Sequence, residues 1–249
     1  MRTIAIVIEY DGSRFHGFQR QPELRTVAGE LERALPILCG HPIEVVGAGR
    51  TDAGVHATGQ VVSFETSYDG SLARWPVALA GILRGSGIAV LRAVERSSGF
   101  SARHDALART YLYRILNRAA PSPLLRGRTL FVRAALDLTA MGEASAVLLG
   151  EHDFTSFCAQ RPERGRPVRT VEALKLERNG ELVELTITAD SFLHQMVRII
   201  AGTLIDVGRG RTGAGDMSTI LDARDRSAAG ATAPAHALYL THVRYADPL

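Results

Sequence analysis

Short runs of apolar and β-branched residues alternate along the chain with longer runs of helical spacing. Strands are predicted at residues 3–9, 43–46, 60–64, 88–94, 108–116, 129–132, 168–177, 181–189 and 238–245. Helices are predicted at 27–38, 71–83, 138–149, 192–207 and 216–223. Asn179-Gly180 predicts a hairpin with a type I′ turn, because both residues accept positive φ. Asp137 stands where it would cap the third helix, and Gly150 where it would end it. The helix at 192–207 is apolar on most sides through Leu193, Met196, Val197, Ile199, Ile200, Leu204 and Ile205, so it is expected to be buried.

An antiparallel hairpin with helices interspersed among strands, and no long linkers, predicts an α+β fold with helices covering one face of an antiparallel sheet. The division is expected near 98–103, giving halves 1–100 and 101–249 without a repeat between them. Pro121-Ser122-Pro123 reads as a rigid loop inside the second half rather than a linker.

The chain has 249 residues, enough for one large or two modest domains with a proper core. Its hydrophobic content of 46% and charged content of 22% are those of an ordinary globular protein. No run approaches the roughly 18 apolar residues of a membrane span, and the chain enters its first strand without a signal-peptide pattern. Cys39 and Cys158 are far apart and form no CxxC, so they are expected to be reduced thiols of a cytosolic protein. Net charge is only +3, but of 29 basic residues Lys175 alone is lysine. Codon bias toward arginine accounts for most of that imbalance. Two stretches still read as phosphate-tracking patches: 161–169, and Arg118, Arg126, Arg128 and Arg133 around the proline loop. The eight histidines form no HExxH or His-Cys cluster, so no metal site is expected.

The run Gly47-Ala48-Gly49-Arg50-Thr51-Asp52-Ala53-Gly54-Val55-His56 lies between two predicted strands. Glycines there allow a backbone to close around a ligand. A dinucleotide fingerprint would need glycine where Asp52 stands and a helix afterwards. A P-loop would need Lys-Ser/Thr where Val55-His56 stands. The loop therefore presents a carboxylate beside Arg50. By spacing alone, Asp52 is either a chemical group or a side chain capping its own turn.

Gly49-Arg50-Thr51-Asp52-Ala53-Gly54-Val55-His56-Ala57 resembles the active-site loop of the tRNA pseudouridine synthase A family, letter for letter at its centre. Further segments resemble that family in the same order. They are Glu9-Tyr10-Asp11-Gly12 with Gly17-Phe18-Gln19-Arg20-Gln21, Phe100-Ser101-Ala102-Arg103 leading to Arg109-Thr110-Tyr111-Leu112-Tyr113, and Asp153-Phe154-Thr155-Ser156-Phe157. The last is Phe192-Leu193-His194-Gln195-Met196-Val197-Arg198 with Gly202. Phe18 stands where the family often has Trp, keeping a packing role but not an indole N–H. Ala201 and Ala237 stand where Val and Gly are common.

The resemblance implies two ferredoxin-like halves forming one extended, mostly antiparallel sheet flanked by helices, with the active-site cleft between them. It implies isomerisation of uridine to pseudouridine at positions 38 to 40 of the tRNA anticodon stem-loop, by a cytoplasmic homodimer that uses no cofactor. It makes Asp52 the essential carboxylate, with attack on the base, attack on the sugar and base catalysis all open to it. Arg198 would be the charge that offsets this acid. By its apolar surroundings alone, Arg198 would equally suit a structural pair with Asp190 or Asp206. Tyr111 and Tyr113 share a strand face; the resemblance assigns Tyr111 to stacking on uracil or proton transfer and leaves Tyr113 to the core. Arg50 would assist base flipping and His56 would contact RNA, although a lone histidine there also suits a scaffold role. Two rival classes remain in view. A non-catalytic RNA-binding module has no use for an acid in a basic cleft, and a hydrolase of the N-glycosidic bond would release free uracil.

Overall fold

The computed structural model describes residues 1–160 and 165–249. Ten strands and five α-helices lie among these residues, confirming the α+β class. Two compact units form, Met1–Arg109 with Tyr239–Leu249, and Thr110–Leu238.

In the first unit, β1 (Arg2–Tyr10) is followed by α1 (Val27–Cys39), β2 (Val46–Gly47), β3 (His56–Thr66), α2 (Trp75–Ile82) and β4 (Ile88–Arg96). β1 lies between β3 and β4, antiparallel to both, and β2 adds to the far edge of β3. This is the βαββαβ order of a ferredoxin-like unit with pairing β4-β1-β3-β2. Ile4, Ile6 and Ile8 of β1 are fully buried, as expected of a central strand. Trp75, at the start of α2, stacks on Phe64 of β3 with centroids 5.8 Å apart. Thr26 caps α1 by accepting the Gly29 N–H at 3.2 Å.

The last strand, β10 (Leu238–Arg244), runs parallel to the start of β3, with Tyr239 opposite His56 and Leu240 opposite Ala57. Residues 239–249 therefore join the first unit, whereas the sequence assigned them to the second half with a boundary after residue 100. That long-range parallel pairing has no local signature.

The second unit holds β5 (Ala108–Asn117, its first two residues in the first unit), β6 (Leu130–Val132), α3 (Leu138–Ala146), β7 (Gly150–Asp153), β8 (Val168–Asn179), β9 (Leu182–Ala189), α4 (Met196–Gly208) and α5 (Asp216–Ala223). Its strands follow β5-β9-β8-β7, with β6 parallel to β5. Asp137 caps α3 as expected, accepting from the N–H groups of Thr139 and Ala140 at 2.9 and 3.0 Å. α3 ends at Ala146, three residues before its predicted end, and Gly150 opens β7. The hairpin turn is not type I′. Asn179 still pairs with Leu182, and Gly180 alone of the two loop residues has positive φ, +63°, which is the pattern of a type II′ turn. α4 begins four residues later than predicted, because Gln195 takes the left-handed conformation at φ +60°. Among the described residues no helix is long and apolar enough to cross a membrane, and no three His, Cys, Asp or Glu side chains gather as metal ligands.

Candidate active-site loop

The connection between β2 and β3, residues 48–55, carries Arg50 and Asp52. Arg50 is exposed and Asp52 half-buried, with buried residues on either side at Thr51 and Val55. A loop of small residues has many conformers open to it. Here it is held at nearly every residue. Its start is fixed by the Ala48 N–H donating to Val61 O at 2.8 Å, and by Arg109, whose Nε and Nη2 both donate to Ala48 O at 3.1 and 2.9 Å. Gln60, fully buried on β3, grips Gly49 from both sides: its amide donates to Gly49 O at 2.8 Å and its carbonyl accepts the Gly49 N–H at 3.3 Å.

Thr51 is held twice. Its carbonyl accepts the Phe18 N–H at 3.0 Å, and its hydroxyl meets the Tyr10 hydroxyl at 2.7 Å. Burial pushes the Tyr10 hydroxyl up to about 12, against the opposing pull of its hydrogen bonds with Thr51 and Gln60. Beyond Asp52, the Gly54 N–H donates to Phe15 O at 3.3 Å and the Val55 N–H to Asp52 O at 3.2 Å. Gly12 approaches so closely that a Cβ there would lie 2.0 Å from Val55 O.

His56 opens β3 and is 2% exposed. Its Nδ1 accepts the Gly12 N–H at 3.0 Å, and its ring stacks on Tyr239 with centroids 4.9 Å apart. Asp11 Oδ1 also lies 3.3 Å from Nδ1, but that nitrogen is already an acceptor, and Asp11 Oδ1 accepts from Ser13 N and Oγ at 3.0 and 2.7 Å. The contact is therefore not an ion pair in this tautomer. The sequence expectation of an RNA contact from His56 meets a ring with almost no surface to offer; the geometry describes the alternative scaffold role.

In the second unit, Tyr111 and Tyr113 lie on one face of β5, as the alternation predicts. Tyr113 is fully buried and donates to Pro234 O at 3.0 Å; burial raises its hydroxyl, and the Arg198 charge opposes that rise. Tyr111 is 7% exposed and meets Phe192 edge to face, with centroids 5.1 Å apart. Arg198, on α4, is half-buried rather than buried. Its Nε donates to Ala233 O at 2.8 Å while its own carbonyl accepts the Ala233 N–H at 3.0 Å. Asp206 pairs with Arg211 at 3.4 Å, and Asp190 accepts from Ser191.

Of the basic patches, Arg118 is spent on structure. It donates to Ala120 O and Pro121 O at 2.7 and 3.2 Å and pairs with Glu181 at 2.8 Å, shaping the proline loop. Arg126 and Arg133 are exposed. Arg161 and Arg164, from the other predicted patch, lie outside the described residues. Sequence reasoning assigned no role to Tyr10, Gly12 or Gln60. Tyr10 and Gly12 stand in one of the motif segments, which was the only signal pointing to them.

Comparison with known proteins bears on the chain's family. A family model described as tRNA pseudouridine synthase matches residues 6–105 and 144–246. The chain is 46% identical over 239 residues to a tRNA pseudouridine synthase A of Halalkalibacterium halodurans, covering 96% of this chain and 90% of that protein. It is 43% identical over 250 residues to a tRNA pseudouridine synthase A of Brucella ovis, covering the whole of both.

Proposed function

The chain belongs to the tRNA pseudouridine synthase family, isomerases of uridine in tRNA, and on that premise we propose that it acts on the anticodon stem-loop at positions 38 to 40 with Asp52 as its essential carboxylate. The reaction breaks the N1–C1′ bond, turns the base, joins C5 to C1′, releases the C5 hydrogen as a proton and places a proton on N1. A carboxylate serving as nucleophile or base must be ionised and held in place through those steps. The observation that carries the assignment is the loop itself: it presents Asp52 half-buried next to an exposed Arg50, with bonds fixing residues on both sides.

Arg198 offsets the negative charge of the acid, and Tyr111 supplies a ring for the flipped uracil and a hydroxyl for proton transfer. Arg50, exposed at the loop tip, enters the space left by the flipped base. His56 serves the substrate indirectly, by holding Gly12 under the loop. A cytoplasmic homodimer belongs to this reading, since two modestly basic surfaces together hold an extended anion better than one.

The test is tritium release from an anticodon stem-loop transcript labelled at uridine C5. Wild-type protein is expected to release tritium without forming free uracil, and Asp52→Asn to bind tRNA with near-normal affinity while releasing none. Turnover by Asp52→Asn would remove Asp52 from its role. Turnover confined to uridines outside positions 38 to 40 would overturn the site assignment.

A further inference from the structure

We infer that Tyr10, through its hydroxyl, is a positioning residue for the isomerisation, acting with Thr51 and Gln60 to set the direction in which the loop presents Arg50 and Asp52. The inference rests on the reading of Asp52 as the essential acid. Residues 48–55 stand outside the strand pairing of the sheet, and side chains hold them together with backbone bonds to Val61, Phe18 and Phe15.

Three of those side chains form one buried group. Tyr10 is the last residue of β1, Gln60 lies on β3, and Thr51 belongs to the loop. They are 4%, 0% and 7% exposed. Gln60 satisfies both backbone groups of Gly49, and the Tyr10 hydroxyl, 2.7 Å from Thr51 Oγ1, also interacts with Gln60. The residues fixed are therefore those on either side of Arg50, the second of which leads directly into Asp52.

The Tyr10 ring is fully explained by packing, since it lies edge to face with Phe15 at 6.5 Å between centroids. Its hydroxyl is not. A phenylalanine would pack there without the need to satisfy a buried polar group. The hydroxyl is accounted for by the loop it holds, and a fully bonded buried network admits few alternative arrangements. Displacing a reacting carboxylate by about 1 Å costs on the order of a hundredfold in rate.

The experiment compares Tyr10→Phe, Thr51→Val, Thr51→Ser and the double variant Tyr10→Phe/Thr51→Val. Tritium release, tRNA affinity and thermal unfolding are measured for each. Tyr10→Phe and Thr51→Val should each lower kcat by about ten- to a hundredfold, with KM and tRNA affinity within about twofold of wild type. Thr51→Ser, which restores the hydroxyl, should recover most of the rate. The double variant should be no slower than the worse single one, because both remove the same bond. A role in stability alone would shift the unfolding temperature and leave kcat untouched. Wild-type kcat in Tyr10→Phe, or rate losses that multiply in the double variant, would overturn the inference. Should Tyr10→Phe fail to fold, the contrast of Thr51→Val with Thr51→Ser decides: equal rates would refute the positioning role. Asp52→Asn in the same series separates the two levels. If it turns over, the reading of the acid fails and this inference with it; if it is inactive while Tyr10→Phe runs at full rate, this inference alone fails.

Discussion

Gly12 and Val55 meet more closely than any residue with a side chain at position 12 would permit, since a Cβ there would lie 2.0 Å from Val55 O. The Gly12 N–H is bonded to His56 Nδ1 and the Gly54 N–H to Phe15 O, so backbone and side-chain bonds both tie the turn at residues 11–15 to the loop and the start of β3. Gly12→Ala must push the two backbones apart. It is expected to lower stability by roughly 2–4 kcal/mol and to slow tritium release by displacing Val55, three residues beyond Asp52. A urea midpoint together with the release assay checks both effects; an unchanged midpoint would show that the turn can shift freely. Asp52 and Arg50 were legible in the sequence because they stand in a dense local motif. Tyr10 and Gln60 were not, because the atoms that give them meaning lie 41 and 11 residues away.

At the scale of elements, sequence patterns located the helices and strands better than their ends. The segment 192–207 does contain a helix, yet a left-handed Gln195 starts it at Met196, and apolar spacing does not report φ. β2 covers Val46–Gly47 where a strand was predicted at 43–46, so the two share only Val46 and the candidate loop begins at Ala48. β7 went unpredicted because its four residues follow α3 almost at once and pair with β8 across a long connection. The hairpin at residues 179–182 was located correctly and its turn type was not. Because Gly180 has φ +63° and open space around its missing Cβ, Gly180→Ala should cost only the left-handed conformation. That is about 1–2 kcal/mol by chemical denaturation, with no change in the tritium-release rate per folded molecule. A larger loss would mean that the turn holds more than its own hairpin.

At the scale of the whole molecule, buried tyrosines are expected to lower stability at alkaline pH. Burial raises the hydroxyl of Tyr10 from 10.0 to about 12, and those of Tyr113 and Tyr245 move in the same direction. Above pH about 10 an unfolded chain loses these protons while the folded chain keeps them. Stability from this source is therefore intact below pH about 10 and falls as pH rises, by up to about 1.4 kcal/mol per pH unit for each tyrosine. Thermal unfolding followed over about pH 8 to 11 should show that fall, and Tyr10→Phe should make it shallower. An equally steep fall in the variant would mean that Tyr10 ionises in the folded protein as readily as in the unfolded one.

The sequence by itself determined the α+β class, the family, and the loop that carries Arg50 and Asp52, because periodicity, turn residues and dense motifs are local properties of the chain. Only the tertiary structure decided that β10 closes onto β3, that His56 is a buried brace, and that Tyr10 and Gln60 reach the loop. Those outcomes depend on which distant backbone groups become neighbours, and hydrogen bonds between distant residues leave no periodic trace in the sequence.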